Sequence, residues 1–160
     1  INEAVRKALP MLLPSYQIIH ICGNGKVDTS IKDVQGYIQF DYVKEELSDL
    51  LAAADVVISR AGSNAICEFL ALKKPNILIP LPAGASRGDQ ILNASSFEKQ
   101  GFSYLLPEEN VNDETLVKAV NIVFENRENY IQAMQSNPAS NAIPVIVNLC
   151  EKAVKAHKIH

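Results

Sequence analysis

The chain has no tryptophan and only three cysteines, Cys22, Cys67 and Cys150, far apart and without a CxxC spacing. Such spacing implies neither a zinc site nor a disulfide framework, and a reducing compartment is expected. No apolar run approaches the roughly 18 residues needed to cross a bilayer, and no signal-peptide pattern opens the chain. There is no HExxH and no GxSxG, so the zinc-protease and α/β-hydrolase readings fall away. Charge of one sign is lacking too: 15 Lys and Arg stand against 18 Asp and Glu, a net charge of -3. The basic residues are scattered except for the tail Lys152, Lys155, His157 and Lys158, which suits the cation-favouring end of a terminal helix. With no basic face, no nucleic-acid partner is expected. Nothing in the pattern calls for a metal or a cofactor.

What is present is a chain of 160 residues, enough for one domain with a real core, 48% of it hydrophobic. Five runs rich in β-branched or aromatic residues read as strands: Gln17–Cys22, Tyr37–Tyr42, Asp55–Ser59, Asn76–Leu81 and Phe102–Leu106. Pro80 must lie at a strand end or edge. A helical pattern opens the chain (Asn2–Leu9), and others cover Glu45–Ala54, Asn64–Lys73 and Gln90–Gln100. The last third is helical: about Asp113–Phe124 with Asp113 as cap, Glu128–Gln135, a break at Ser136–Asn141, then Ile143–His157. Near-continuous apolar strands alternating with helices predict an α/β, Rossmann-like parallel sheet with helices on both faces.

In such sheets ligands lie beyond the carboxyl ends of the strands. The most informative stretch there is Ser59-Arg60-Ala61-Gly62-Ser63-Asn64-Ala65-Ile66-Cys67-Glu68, which joins a strand to a helix through a small glycine turn. It leaves the first N–H groups of the helix pointing outward, ready for a phosphate. Glu68 follows Asn64 at i+4 on the same helix face, placed to accept hydrogen bonds from a ribose. The plainer reading has Ser63 as N-cap and Glu68 as a surface charge. The loop Pro82–Gly88 is long, small-residued and polar, as functional loops are. After it, Asp89 is a candidate helix cap, and the Gln90 amide offers donors and an acceptor to sugar hydroxyls. Arg60 is either a surface ion pair or an anchor for the rim or a diphosphate. Gly23-Asn24-Gly25-Lys26 reads as an ordinary turn, lacking both dinucleotide and P-loop spacing. His20, inside an apolar strand, reads as core or interface.

Together S-R-A-G-S-N-A-I-C-E, P-N-I-L-I-P-L and S-R-G-D-Q-I-L-N-A, at their spacing, resemble the C-terminal donor-binding domain of the MurG family, glycosyltransferase family 28. The resemblance covers nearly the whole chain. It implies half of a two-domain GT-B enzyme, with residues 1–160 as a fragment holding the UDP-N-acetylglucosamine. A strand and a glycine-rich phosphate loop precede the opening helix in the family, so the first strand and that loop are expected to be missing here. The family's R-[SA]-G turn matches Arg60-Ala61-Gly62, and its donor helix starts at Ser63-Asn64-Ala65. Its ribose-binding glutamate matches Glu68, its sugar-contacting pair Asp89-Gln90, and its uracil contact Tyr42-Val43. Two positions depart: Ala65 stands where many members carry threonine, and Asp89 where glutamine is common, an acceptor that cannot donate when ionised.

The resemblance further implies inverting transfer of N-acetylglucosamine to an undecaprenyl-linked muramyl-pentapeptide, converting lipid I to lipid II, with no cofactor and no metal. Acceptor and catalytic base belong to the missing N-terminal domain, so this chain alone is expected to bind weakly and transfer nothing. The parent is expected in the cytoplasm, peripheral on the inner face of the bacterial membrane. Alternatives are another UDP-sugar transferase or epimerase of GT-B architecture, a stand-alone donor subunit docking on a separate acceptor subunit, and a non-catalytic α/β interaction domain.

Overall fold

A computed structural model describes residues 1–31, 33–137 and 142–157. The chain opens on α1 (Asn2–Leu12), whose Val5, Ala8, Leu9 and Leu12 recur at helical spacing and are buried. Then come β1 (Ile18–Ile21), β2 (Tyr37–Phe40), α2 (Leu47–Ala53), β3 (Val57–Ser59), α3 (Ser63–Leu72), β4 (Asn76–Leu78), α4 (Asp89–Lys99) and β5 (Ser103–Leu105). Three helices close it: α5 (Asp113–Glu125), α6 (Arg127–Gln135) and α7 (Ala142–His157). Every strand pair is parallel. Most of the break at Ser136–Asn141, and Lys158 of the basic tail, lie outside the described residues.

The strands fall into two groups, β1-β2 and β3-β4-β5, with no pairing between β1 and β3. This is the grouping of a doubly wound sheet of order 3-2-1-4-5-6 from which the first strand is left out. Helix α1 packs across both groups: Val5, Ala8 and Leu12 share one cluster with Ile18 before the split and Ile58, Ile77 and Ile79 after it. Helix α5 joins that face through Leu116, Ala119 and Val123. The opposite face is covered by Leu51 of α2, Ile66 and Phe69 of α3 and Ala94 of α4, packed around Leu78. Ile77 and Ile79 thus face one layer and Leu78 the other, the period-two alternation of a strand buried on both sides.

The ladder of β4 ends at Leu78, three residues before the expected Leu81, because Pro80 has no N–H to offer; Ile79 still donates to the Ser59 carbonyl at 2.9 Å. The cap of α5 is Asn112 and not Asp113. Asn112 has the extended backbone a cap needs, and its side chain accepts from Thr115 N–H at 2.8 Å while the Thr115 hydroxyl accepts from Asn112 N–H at 2.9 Å. In α7, Val145, Ile146, Leu149 and Val154 form an apolar arc opposite Asn148, Glu151 and Lys155, and all four are exposed. Among the described residues no helix is long and apolar enough to cross a membrane.

His20 is buried at the start of a polar chain linking β1 to α1: its Nδ1 pairs with Tyr37 Oη at 2.9 Å and its Nε2 with Asn2 Oδ1 at 3.1 Å, while Asn2 Nδ2 donates to the Cys22 carbonyl at 2.8 Å. Burial first, and the Arg6 charge second, hold its pKa down to about 4. As pH falls below about 6.5 the unfolded chain takes up the proton while native His20 stays neutral. Stability therefore declines by on the order of 2 kcal/mol between pH 6.5 and 4, then levels off for this group. Denaturant titrations across that range check it: His20→Gln, which cannot titrate, removes this part of the slope. A wild-type slope equal to the variant's would contradict the assignment.

Candidate functional site

The turn after β3 is built from its backbone outward. Ala61 is fully buried, and its carbonyl accepts from Asn93 Nδ2 of α4 at 3.0 Å. Gly62, not Ser63, is the N-cap of α3, at φ -67° and ψ 140°, and no side chain caps the helix. Ser63 is already in the first turn, so its hydroxyl cannot fold back on N2 or N3 as a capping one does. The first intrahelical bond is Ile66 N–H to the Gly62 carbonyl at 3.1 Å, which leaves the N–H groups of Ser63, Asn64 and Ala65 without partners among the described residues. Those three donors, with the positive end of the helix dipole behind them, have the arrangement that suits an anion.

Glycine at position 62 is not demanded by the chain itself. Its φ is negative, and a Cβ built there meets nothing within 4 Å. The space beside the unpaired N–H groups is open. Glu68 is exposed one turn further along α3, with no hydrogen-bond or ion-pair partner among the described residues. Its carboxylate is free to take a ligand.

Helix α4 supplies the facing wall. Its N-cap is Gly88 at φ +82°, so Asp89 is the first helical residue and not a cap; its exposed carboxylate lies in the first turn, where it complements the dipole. Gln90 Oε1 accepts from Leu81 N–H at 3.1 Å. That bond satisfies an amide the shortened β4 ladder cannot reach, and it commits the amide oxygen, which leaves the Nε2 group as the part of Gln90 able to donate elsewhere. Loop Pro82–Gly88 turns on the Pro82 carbonyl, which accepts from Ala85 N–H at 2.9 Å and Ser86 N–H at 3.1 Å.

Arg60 is half-buried and already engaged. Its Nη1 donates to the Ile79 carbonyl at 3.1 Å and to Pro80 at 3.5 Å, its Nη2 to Glu108 Oε1 at 3.1 Å, and Nη1 also pairs with Glu108 Oε2. The structure contains the ion pair of one sequence reading and, through the Ile79 and Pro80 carbonyls, the rim anchor of the other.

Hydrogen bonds thus bring Arg60, Ala61 and the start of α3 together with Gln90 and Asn93. Tyr42 and Val43 lie apart, two and three residues beyond the end of β2, in the other strand group. Tyr42 is 64% exposed and lines a shallow cavity of about 340 Å³ with Lys44, Glu45 and Glu46; Val43 does not line it. The turn at Gly23–Lys26 is an ordinary one, closed by Lys26 N–H to the Gly23 carbonyl at 3.0 Å. Sequence reasoning missed Asn93 and Glu108. Asn93 was findable at i+3 from Gln90 on the same helix face. Glu108 was findable by carrying the strand-end rule on to β5, whose loop it occupies. A second cavity of about 310 Å³, between Lys73, Lys74, Arg127 and Glu128, opens near the start of β4, away from this rim.

The profile of the glycosyltransferase family 28 C-terminal domain matches residues 1–150. A UDP-N-acetylglucosamine--N-acetylmuramyl-(pentapeptide) pyrophosphoryl-undecaprenol N-acetylglucosamine transferase of Lachnoclostridium phytofermentans is 59% identical over 95% of this chain and 43% of its own length. A protein of the same name from Clostridium novyi is 54% identical over 97% of this chain and 43% of its own. The chain therefore spans less than half the length of these relatives. Among solved structures, MurG of Acinetobacter baumannii superposes with a TM-score of 0.75 at 23% identity, over 94% of this chain and 45% of that one, a likeness of fold.

Proposed function

Because the chain belongs to glycosyltransferase family 28, whose C-terminal domain it carries, we propose that it is the donor-binding half of a transferase that moves N-acetylglucosamine from UDP onto an undecaprenyl-linked muramyl-pentapeptide. The observation that carries this reading is the uncapped start of α3: three unpaired N–H groups beside a glycine that nothing in the chain requires. Such a feature suits a diphosphate. Glu68 takes the ribose hydroxyls, Gln90 Nε2 and Asp89 the sugar hydroxyls, and Tyr42 with Val43 the uracil. Ser63, Asn64 and Ala65 hold the phosphates through their backbone.

In displacement at the anomeric carbon, the bond to the diphosphate oxygen breaks as the acceptor oxygen attaches. Negative charge grows on the departing UDP, so N–H groups aimed at it stabilise the transition state more than the ground state. The acceptor, and the base that removes its proton, belong to the remainder of a longer protein. With that remainder the enzyme works at the inner face of the bacterial membrane, where such a lipid-linked acceptor is made. Relatives that carry the transferase name at 59% and 54% identity support the donor and the acceptor class.

Calorimetric titration of this chain tests the reading. UDP-N-acetylglucosamine binds, ADP-glucose does not, and no sugar is transferred by the chain alone. Equal binding of both nucleotides, or of neither, would contradict the proposal.

A further inference from the structure

We propose that Glu108 is a positioning residue for the donor site, acting through Arg60 to hold together the carboxyl ends of β3, β4 and β5. The inference rests on the donor reading above for its consequence, and on the geometry alone for the clamp. Arg60 follows directly on β3, and Glu108 begins the turn Glu108–Asn110 after β5. Between them lies the extension of β4, whose Ile79 and Pro80 carbonyls both accept from Arg60 Nη1. The parallel ladder has run out at that level. Its last bonds are Ile79 N–H to the Ser59 carbonyl at 2.9 Å and Leu106 N–H to the Leu78 carbonyl at 3.0 Å. Beyond them one guanidinium, gripped by both oxygens of one carboxylate, links the three strand ends.

That position matters for the ligand because the clamp lies between the two walls of the site. Arg60 leads through Ala61 and Gly62 into the unpaired N–H groups of α3. Ile79 and Pro80 lead through Leu81 into the loop Pro82–Gly88 and then Gln90. Leu81 is held from the other side by Gln90 Oε1. Glu108 therefore sets the spacing between the diphosphate wall and the sugar wall, although it touches neither. A two-pronged grip on a planar guanidinium is geometric as well as electrostatic, and lysine does not reproduce it. The carboxylate also occupies both terminal nitrogens of Arg60, so the arginine orients the rim and does not serve as a free counterion for phosphate.

Amide hydrogen exchange and binding, measured on the same variants, test this. Glu108→Ala is expected to speed exchange at the Ile79 and Leu81 amides by roughly five- to tenfold, with Glu108→Gln, which keeps an acceptor, falling between it and wild type. Affinity for UDP-N-acetylglucosamine falls by about tenfold in Glu108→Ala and equally in Arg60→Lys, and the double variant is no weaker than either. Uridine, which does not reach the sugar wall, binds all of them alike. Unchanged exchange at both amides would overturn the clamp. So would Arg60→Lys binding as wild type does while Glu108→Ala binds more tightly, since Arg60 would then act on the phosphates directly. If the unmodified chain takes no UDP-N-acetylglucosamine, the donor reading fails by itself, and the exchange rates still decide the clamp.

Discussion

Glu68→Ala lowers affinity for UDP-N-acetylglucosamine by about 10- to 100-fold, the loss expected when a charged acceptor for ribose hydroxyls is removed. The variant is informative because Glu68 does nothing for the fold that the structure records. It is exposed and has no hydrogen-bond or ion-pair partner among the described residues. Its removal should shift folding stability by no more than about 0.5 kcal/mol, the range of ordinary surface substitutions. The assignment to ribose is then checked by a cycle in which the second change is made in the ligand. Wild type discriminates between uridine and 2′-deoxyuridine nucleotides, and Glu68→Ala does not. If the variant lost affinity yet still discriminated, Glu68 would act elsewhere on the nucleotide. If it lost nothing, the carboxylate would be the surface charge of the plainer reading.

Gly62→Val separates the needs of the fold from those of the ligand. Glycine is usually explained by a positive φ or a crowded neighbour, and here neither applies: φ is -67° and a Cβ meets nothing within 4 Å. The folded chain should therefore accept valine at a cost of about 1 kcal/mol or less, the ordinary penalty for a poorer N-cap. Binding is another matter. A branched side chain at the cap stands beside the N–H groups of Ser63, Asn64 and Ala65 and bars a phosphate from approaching them. The expected loss for UDP and UDP-sugars is about 30- to 100-fold, because a set of charge-assisted bonds is prevented from forming. Thermal unfolding and calorimetry on the same preparation give both numbers. A large drop in stability would mean that glycine serves packing after all, and undiminished binding would place the diphosphate elsewhere.

Some of this was legible in the sequence, for physical reasons that differ by element. The β4 run was plain because Ile77, Leu78 and Ile79 are buried on both faces, and only a parallel strand under two helix layers needs such a run. Its end was misjudged because apolar character continues through Leu81, whereas hydrogen bonding stops where Pro80 has no N–H. Helix α5 was plain from its spacing, but Asn112 and Asp113 are both good caps, and only backbone conformation chooses between them. The split between β1 and β3 is invisible to periodicity, which records whether a residue is buried and not which strand lies beside it; the expected missing first strand came from the resemblance. In the candidate site the glycine turn could be read directly, since it depends on local backbone alone. The direction of the Gln90 amide could not, because it answers to Leu81 N–H. The Arg60–Glu108 pair, whose members are 48 positions apart in the chain, leaves no local trace.

The most direct measurement is the backbone amide spectrum of this chain during titration with UDP-N-acetylglucosamine. The largest shifts are expected at Ser63, Asn64 and Ala65, with smaller ones at Glu68, Gln90 and Tyr42. Shifts centred instead on Lys73, Lys74 and Arg127, around the cavity near the start of β4, or no shifts at all, would contradict it.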